Sequence, residues 1–353
     1  MNTQILFTPL TLKNLTLPGR IVRSSTEFFC SGPEAHIEPC EVQVYKQLGE
    51  QPLGLILTAH TCVSPEGRSN PWQNAIWDDS YIPDVCSIAR EAQAHGVPAV
   101  MQIGHGGMKA DGNNGGLPVY TPDTMTVGEI RGVIDAFGDA ALRVKNAGMS
   151  GVMIHGAHMY LLSQFFYPAY NHRTDCYGGS ALNRFRIIYE ILETIKKRCG
   201  DAYPVFLKVN VTDASCSEAY YADVVSALNR AGDGFDAVEI SGWNSSPRGV
   251  HERPFFIDYV RRLHSDVSVP LIEVGGFRTA DTMTEAIEAG ASAISVSRPL
   301  LCEPDFVSRI KAGEPVRSKC KGCGFCVTPL DMNTMIRCPI AGTLKQDHLH
   351  KFF

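Results

Sequence analysis

Two imidazoles stand three residues apart in the stretch VMIHGAHMYL, residues 152–161: His155 and His158 follow a short apolar run, and Tyr160 comes two residues later. Such a pair has three readings. It could ligate a metal ion, donate N–H bonds to an oxygen of a bound molecule, or simply begin a helix. A metal needs a further carboxylate or histidine in matched geometry. The donor reading needs neutral rings converging on one oxygen, where their N–H groups stabilise developing negative charge. A second concentration of chemistry is VGGF with Gly275 and Gly276, together with VSRPL with Ser297 and Arg298. Adjacent glycines let backbone N–H groups approach an anion closely, and a guanidinium adds a bidentate charge. Gly-Gly alone would also make an ordinary tight turn. Third, Cys320, Cys323, Cys326 and Cys338 are spaced Cys-x2-Cys-x2-Cys-x11-Cys. Four such cysteines suit an iron–sulfur cluster or zinc, or form a tail of free thiols.

The elements that must position these groups alternate. Short β-rich runs read RIVRSS (20–25), GLILTA (54–59), AVMQIG (99–104), GVMIH (151–155), VFLKVN (205–210), AVEISG (237–242), LIEVGG (271–276) and AISVSR (293–298). Amphipathic stretches lie between them, among them 81–96, 127–148, 181–200 and 279–290, and several end on a glycine suited to a left-handed C-cap. Near-continuous apolar strands alternating with helices imply a buried parallel sheet. Eight units predict an α/β fold of the (β/α)8 TIM barrel type. The competing doubly wound sheet is disfavoured, because no strand leads into G-x-G-x-x-G. FTPLTLKNLTLPG predicts a short N-terminal hairpin across the barrel floor. The expected organisation is a barrel over residues 1–312 and a Cys-rich extension over 313–353 packed on it. Reactive groups of such a barrel gather at the C-terminal strand ends. Those ends bring Ser25, Thr26, Ala59, His60, Gln102, His105, Lys208, Ser241 and Trp243 to the same mouth as the histidines, the glycines and Arg298.

Composition narrows the partners. The net charge of −5 is spread along the chain with no basic tract, which argues against nucleic acid. The longest apolar runs are strand-sized, too short to span a membrane. The N-terminal residues lack a charged region followed by an apolar core, so no secretory signal is expected. Eight of the 12 cysteines are scattered singly, a pattern of reduced thiols that predicts a cytoplasmic protein.

The stretches GRIVRSS, GLILTAHTCVSPEGR, MQIGHGGMKA, IHGAHMYLLSQFFYPAYNHRTDCYGGS and VGGFRTADTMTEAIEAGASAISVSRPLLCEPDF resemble the Old Yellow Enzyme family of FMN-dependent NAD(P)H oxidoreductases. The resemblance runs from about residue 5 to 312 and is most specific over 155–180, where H-x-x-H-x-Y-L is followed by NHRTDxYGGS. It implies FMN at the barrel mouth and NADH or NADPH as electron donor. The implied reaction is reduction of an activated C=C bond by hydride from flavin N5. By the same resemblance Gln102 bonds the flavin pyrimidine edge, and Lys208 sits near its N1/O2. Backbone at Ser24, Ser25, Thr26 and Ala59 contacts the ring, while Gly275, Gly276, Ser297 and Arg298 hold the phosphate. His155 and His158 hold the substrate carbonyl, Tyr160 is the candidate proton donor, and Arg173 braces the loop that carries it. The tail resembles that of 2,4-dienoyl-CoA reductases, whose cluster spacing is one residue longer.

Several positions depart from the family pattern. Glu27 stands where a flavin-tuning Cys is common, which excludes a covalent link there. His60 replaces a small residue, Met159 a glycine, Cys176 an acid and Lys208 an arginine. The leading expectation is reduction of α,β-unsaturated carbonyl compounds by a homo-oligomeric enzyme acting on a small-molecule alkene. The alternatives are a flavin-dependent amine or demethylating dehydrogenase, and an electron-transfer subunit using a C-terminal cluster.

Overall fold

Strands buried on both faces carry apolar residues at successive positions, and that is how the chain closes on itself. In the computed structural model, which describes residues 3–243, 249–327 and 338, a hairpin of β1 (Leu10–Thr11) and β2 (Thr16–Leu17) precedes the barrel. The barrel strands are β3 (Ile21–Arg23), β4 (Leu55–Leu57), β6 (Ala99–Gly104), β7 (Gly151–Gly156), β8 (Val205–Asn210), β9 (Ala237–Ser241), β10 (Leu271–Val274) and β11 (Ala293–Val296). Each pairs in parallel with the next, and β11 pairs with β3, so eight strands form a closed ring. A short β5 (Thr61–Cys62) continues the second position and pairs with the end of β6. The fold is a (β/α)8 TIM barrel.

Two apolar layers hold it. Val22, Leu55, Leu57, Val100, Met153, Phe206, Ala237, Ile272 and Ala293 fill the interior, and Leu12 and Leu17 of the hairpin join the same cluster. The hairpin therefore plugs the barrel floor, as its sequence predicts. Outside run α1 (Pro39–Gly49), α2 (Ile82–Gln93), α3 (Val127–Asn146), a short α4 (Leu161–Phe166), α5 (Ala181–Cys199), α6 (Glu218–Ala231), α7 (Ile257–Asp266), α8 (Ala280–Glu288), α9 (Arg298–Cys302) and α10 (Phe306–Lys311). Their buried faces pack on the strands in one continuous core. Helix α3 starts on a capping box, Thr126 and Glu129 each bonding the other's backbone N–H. The glycine after α5, Gly200, has φ +89° and ψ 153°, a backbone open to glycine that ends the helix without the left-handed helical cap its position suggests.

The segment after α10 returns to the barrel. Ser318 N–H donates to Arg278 O at 2.8 Å, Thr279 and Arg317 form an isolated antiparallel bridge, and Gly249 N–H donates to Gly322 O at 2.8 Å. These bonds hold residues 317–322 against the mouth. Among the described residues no helix is long and apolar enough to cross a membrane.

Candidate active site

A pocket opens at the C-terminal ends of the strands, where a TIM barrel builds its sites. Ser24, Ser25, Thr26, Gln102, His155, His158, Tyr160, Lys208, Gly275, Gly276, Ser297 and Arg298 all line it. Ala59 does not: it is buried, and its N–H donates to the Tyr45 hydroxyl at 2.7 Å. His105 also lies elsewhere, buried and stacked on Tyr120 with ring centroids 5.7 Å apart. Trp243 packs its ring edge-on against Tyr167.

At the base of the pocket His155, at the end of β7, and His158 have ring centroids 5.2 Å apart. Tyr160 lies 4.8 Å from His155. His158 and Met159 both adopt left-handed backbone, φ +59° and +60°. Neither is a glycine, so the turn that aims His158 holds local strain, as functional turns often do. His158 Nε2 lies 2.7 Å from Ser241 Oγ, at the end of β9. His155 Nδ1 is buried without a partner, so a ligand must approach this ring through Nε2. Burial holds both imidazoles well below the ordinary histidine range, and nearby cations reinforce it. Both are neutral N–H donors at neutral pH. Burial raises the Tyr160 hydroxyl to about 12, so it keeps its proton.

His60 forms a third imidazole of this group, 4.7 Å from His155 and 4.5 Å from Tyr160 between centroids. Gln73 fixes its tautomer. The Gln73 carbonyl oxygen accepts from Ser69 N–H at 2.7 Å, so its amide nitrogen is the donor to His60 Nδ1 at 2.8 Å. The His60 proton therefore sits on Nε2, which is buried and unpartnered beside Gly104. Burial lowers this ring to about 3, so it too stays neutral.

The strand beside β7 brings charge, with Lys208 directly opposite His155 in register. The Lys208 ammonium pairs with the Glu239 carboxylate, both fully buried on adjacent strands β8 and β9. Glu239 also accepts from Ser24 Oγ at 3.3 Å and Ser295 Oγ at 2.9 Å. Ser25 Oγ donates to the Gln102 carbonyl oxygen at 3.0 Å. Arg23, missed because RIVRSS reads as a strand running on to Ser25, ends β3 and bonds Ser24 O and Thr26 Oγ1. Burial lowers it to about 10. Glu27 is buried, and that burial, with Glu41 nearby, holds its carboxyl well above the usual range. Arg173 braces its loop as expected, donating to Pro122 O and Met125 O at 2.6 Å each.

The family's model, described as NADH:flavin oxidoreductase / NADH oxidase, matches residues 5–317. The chain belongs to that family. An NADPH dehydrogenase of Bacillus pumilus (strain SAFR-032) is 30% identical over 331 residues, 90% of this chain and 96% of that protein. Among solved structures, Old Yellow Enzyme from Pichia sp. AKU4542 superposes with a TM-score of 0.76 at 22% identity, covering 88% of each chain. The structure of a 2-naphthoyl-CoA reductase complex superposes with a TM-score of 0.85 at 22% identity over 96% of this chain. This chain spans 57% of that longer protein. The structural likenesses show the fold; membership in the family makes the protein an NAD(P)H-dependent flavin oxidoreductase with FMN as cofactor.

The pocket residues fit FMN. Gly275 and Gly276 have φ +100° and +86°, and a Cβ on either would come within 3.0 Å of the 253–255 segment. This backbone is thus bare and left-handed beside Arg298 and Ser297, as an anion cradle requires. The cysteine tail gives a different result. Cys320 and Cys326 line the pocket and Cys323 is exposed. Among the described residues no group of three or more His, Cys, Asp or Glu is arranged to hold a metal ion. The expected [4Fe–4S] or zinc centre at Cys320, Cys323, Cys326 and Cys338 is therefore not shown, and most of the segment between Cys326 and Cys338 lies outside the described residues.

Proposed function

We propose that the protein reduces the activated C=C bond of α,β-unsaturated carbonyl compounds with NADH or NADPH. The observation that carries this reading is the neutral His155–His158 pair, the first buried and the second half-buried, lining the pocket with Tyr160 beside it. FMN, when bound, supplies the two-electron exchange between nicotinamide and alkene. Gln102, Lys208, Ser24, Ser25 and Thr26 would hold its ring, and Gly275, Gly276, Ser297 and Arg298 its phosphate.

The chain's own residues do the rest. His155 donates from Nε2–H to the substrate carbonyl oxygen. His158 donates from Nδ1–H in the tautomer whose Nε2 accepts from Ser241 Oγ, 2.7 Å away. Two such donors stabilise the enolate-like charge that grows on that oxygen as the β-carbon is reduced. They need little reorganisation during the step, because the strand end that carries His155 and the Ser241 contact to His158 already hold both rings in the pocket. Tyr160 keeps its proton in the resting site and passes it to the α-carbon.

The domain boundary belongs to the same reading, a barrel of residues 1–312 followed by an extension from residue 313; beyond residue 327, apart from Cys338, that extension lies outside the described residues. The test is anaerobic turnover of FMN-loaded protein, with NADH or NADPH against a panel of enones and enals, and with amines in the presence of an artificial electron-accepting dye. Saturated carbonyl product in step with nicotinamide oxidation supports the reading. Turnover of amines with no enone turnover would replace it with the dehydrogenase alternative.

A further inference from the structure

Four cations line the pocket: Lys109, Lys208, Arg278 and Arg298. Lys208 is matched by Glu239, Arg278 donates to Ser318 O, and Arg298 stands in the loop that fits a phosphate. Lys109 is different. It sits on a 3-10 turn (Gly107–Ala110) after β6, at the end of the pocket occupied by the imidazoles. Its ammonium lies over the Tyr160 ring, 4.6 Å from the centroid. No carboxylate among the described residues pairs with it. The one acid lining the pocket is Glu27, whose carboxyl is pushed well above the usual range by its surroundings and makes no ion pair with Lys109.

Lys109 is an exposed residue, and an aromatic face holds a cation at such a site only weakly, less than a carboxylate does once a bound ligand excludes water. The charge is felt locally, because it helps lower His60, His155 and His158 alike. A neutral enone uses the histidine pair and leaves this ammonium unmatched. A substrate with a carboxylate beyond its carbonyl would match it.

We infer that Lys109 forms an anion subsite, and that the preferred substrates are activated alkenes carrying a carboxylate in addition to the polarised carbonyl. The inference rests on the enone reading of the same pocket. Lys109 acts there as a specificity residue that binds the remote end of the substrate. Binding energy gained there would also orient the alkene over the histidines. The nicotinamide donor also carries anionic groups, so the test separates the two sources.

The experiment uses FMN-loaded protein, wild type, Lys109→Gln and Lys109→Arg. Steady-state kcat/KM is measured for 4-carboxycinnamaldehyde and its methyl ester, and flavin absorbance follows equilibrium binding of benzoate and benzamide. The wild type should favour the acid over the ester by about tenfold or more, the factor that 1.4 kcal/mol represents. Lys109→Gln should bring the ratio close to one, and Lys109→Arg should retain it. An unchanged ratio in Lys109→Gln, or no preference in the wild type, would overturn the inference. So would an effect confined to NADPH or NADH reduction rates, which would assign the cation to the donor. If neither aldehyde turns over, the enone reading fails separately, and the benzoate to benzamide binding ratio still decides the role of Lys109.

Discussion

Gly104 ends β6 against the His60 ring, and that contact gives a prediction that needs no ligand. A Cβ at position 104 would stand 2.0 Å from His60 Nε2, 2.8 Å from its Cδ2 and 3.2 Å from His155 Cβ. Van der Waals contact requires about 3.5 Å, so the ring would have to retreat by more than an ångström. It has nowhere to go. Gln73 holds Nδ1 at 2.8 Å, and His155 and Tyr160 flank the ring at 4.7 Å and 4.5 Å. Overpacking of this kind costs about 1–3 kcal/mol, and losing the Gln73 bond adds about 1. Gly104→Ala should therefore destabilise the protein by about 2–4 kcal/mol. With His60→Ala already present, the same substitution should cost under about 1 kcal/mol, because the obstructing atoms are gone. Urea unfolding of the four members of this cycle measures the coupling. Equal costs of Gly104→Ala in both backgrounds would refute the packing account of His60.

Further predictions follow from buried charge and from thiols. Glu239→Gln leaves the Lys208 ammonium buried without its partner, so it should lower stability by about 3–5 kcal/mol, and Lys208→Met with Glu239→Gln should cost less than Glu239→Gln alone when measured by denaturant unfolding. Burial raises the Glu273 carboxyl from 4.5 to about 8, and its Oε2 has no partner. The folded state then binds more protons than the unfolded one across that window, so this group lowers stability as pH rises from about 4.5 to about 8, and Glu273→Gln should lack that slope in unfolding measured across the range. Cys323, exposed like Cys176 and Cys216, should react with a thiol reagent as fast as they do and ahead of buried Cys62 and Cys199; protection of Cys323 lifted only by removing iron or zinc would instead show a shared metal.

The strands were legible because a parallel barrel buries both faces, which writes unbroken apolar runs such as AVMQIG and VFLKVN into the chain. Their ends were less so. RIVRSS reads as six residues, but the ladder stops at Arg23, where the chain turns to line the pocket. The second barrel position splits into β4 and β5, and α4 and α9 are too short for periodicity to reveal. The histidine pair and Gly275–Gly276, which all line the pocket, could be singled out because their spacing is local. Glu239 was missed, although a signal existed: a lysine in VFLKVN and a glutamate in AVEIS lie in neighbouring buried strands, where each charge needs an opposite one. The register confirms it, with Lys208 directly opposite Glu239. His60 was visible as a departure from the family pattern, but its tautomer depends on Ser69 and Gln73, a chain of contacts that no spacing encodes. The placement of Lys109 over Tyr160 likewise arises from how the turn after β6 folds back across the mouth.

The central claim is that His155 and His158 polarise the substrate carbonyl, and rapid mixing tests it most directly. FMN-loaded protein, reduced anaerobically, is mixed with 2-cyclohexenone, and flavin reoxidation is followed in wild type, His155→Ala and His158→Ala. Loss of one donor should slow reoxidation by about 10²–10³, while flavin reduction by the nicotinamide donor in the same variants falls far less. Unchanged reoxidation by the enone in both variants would contradict the account.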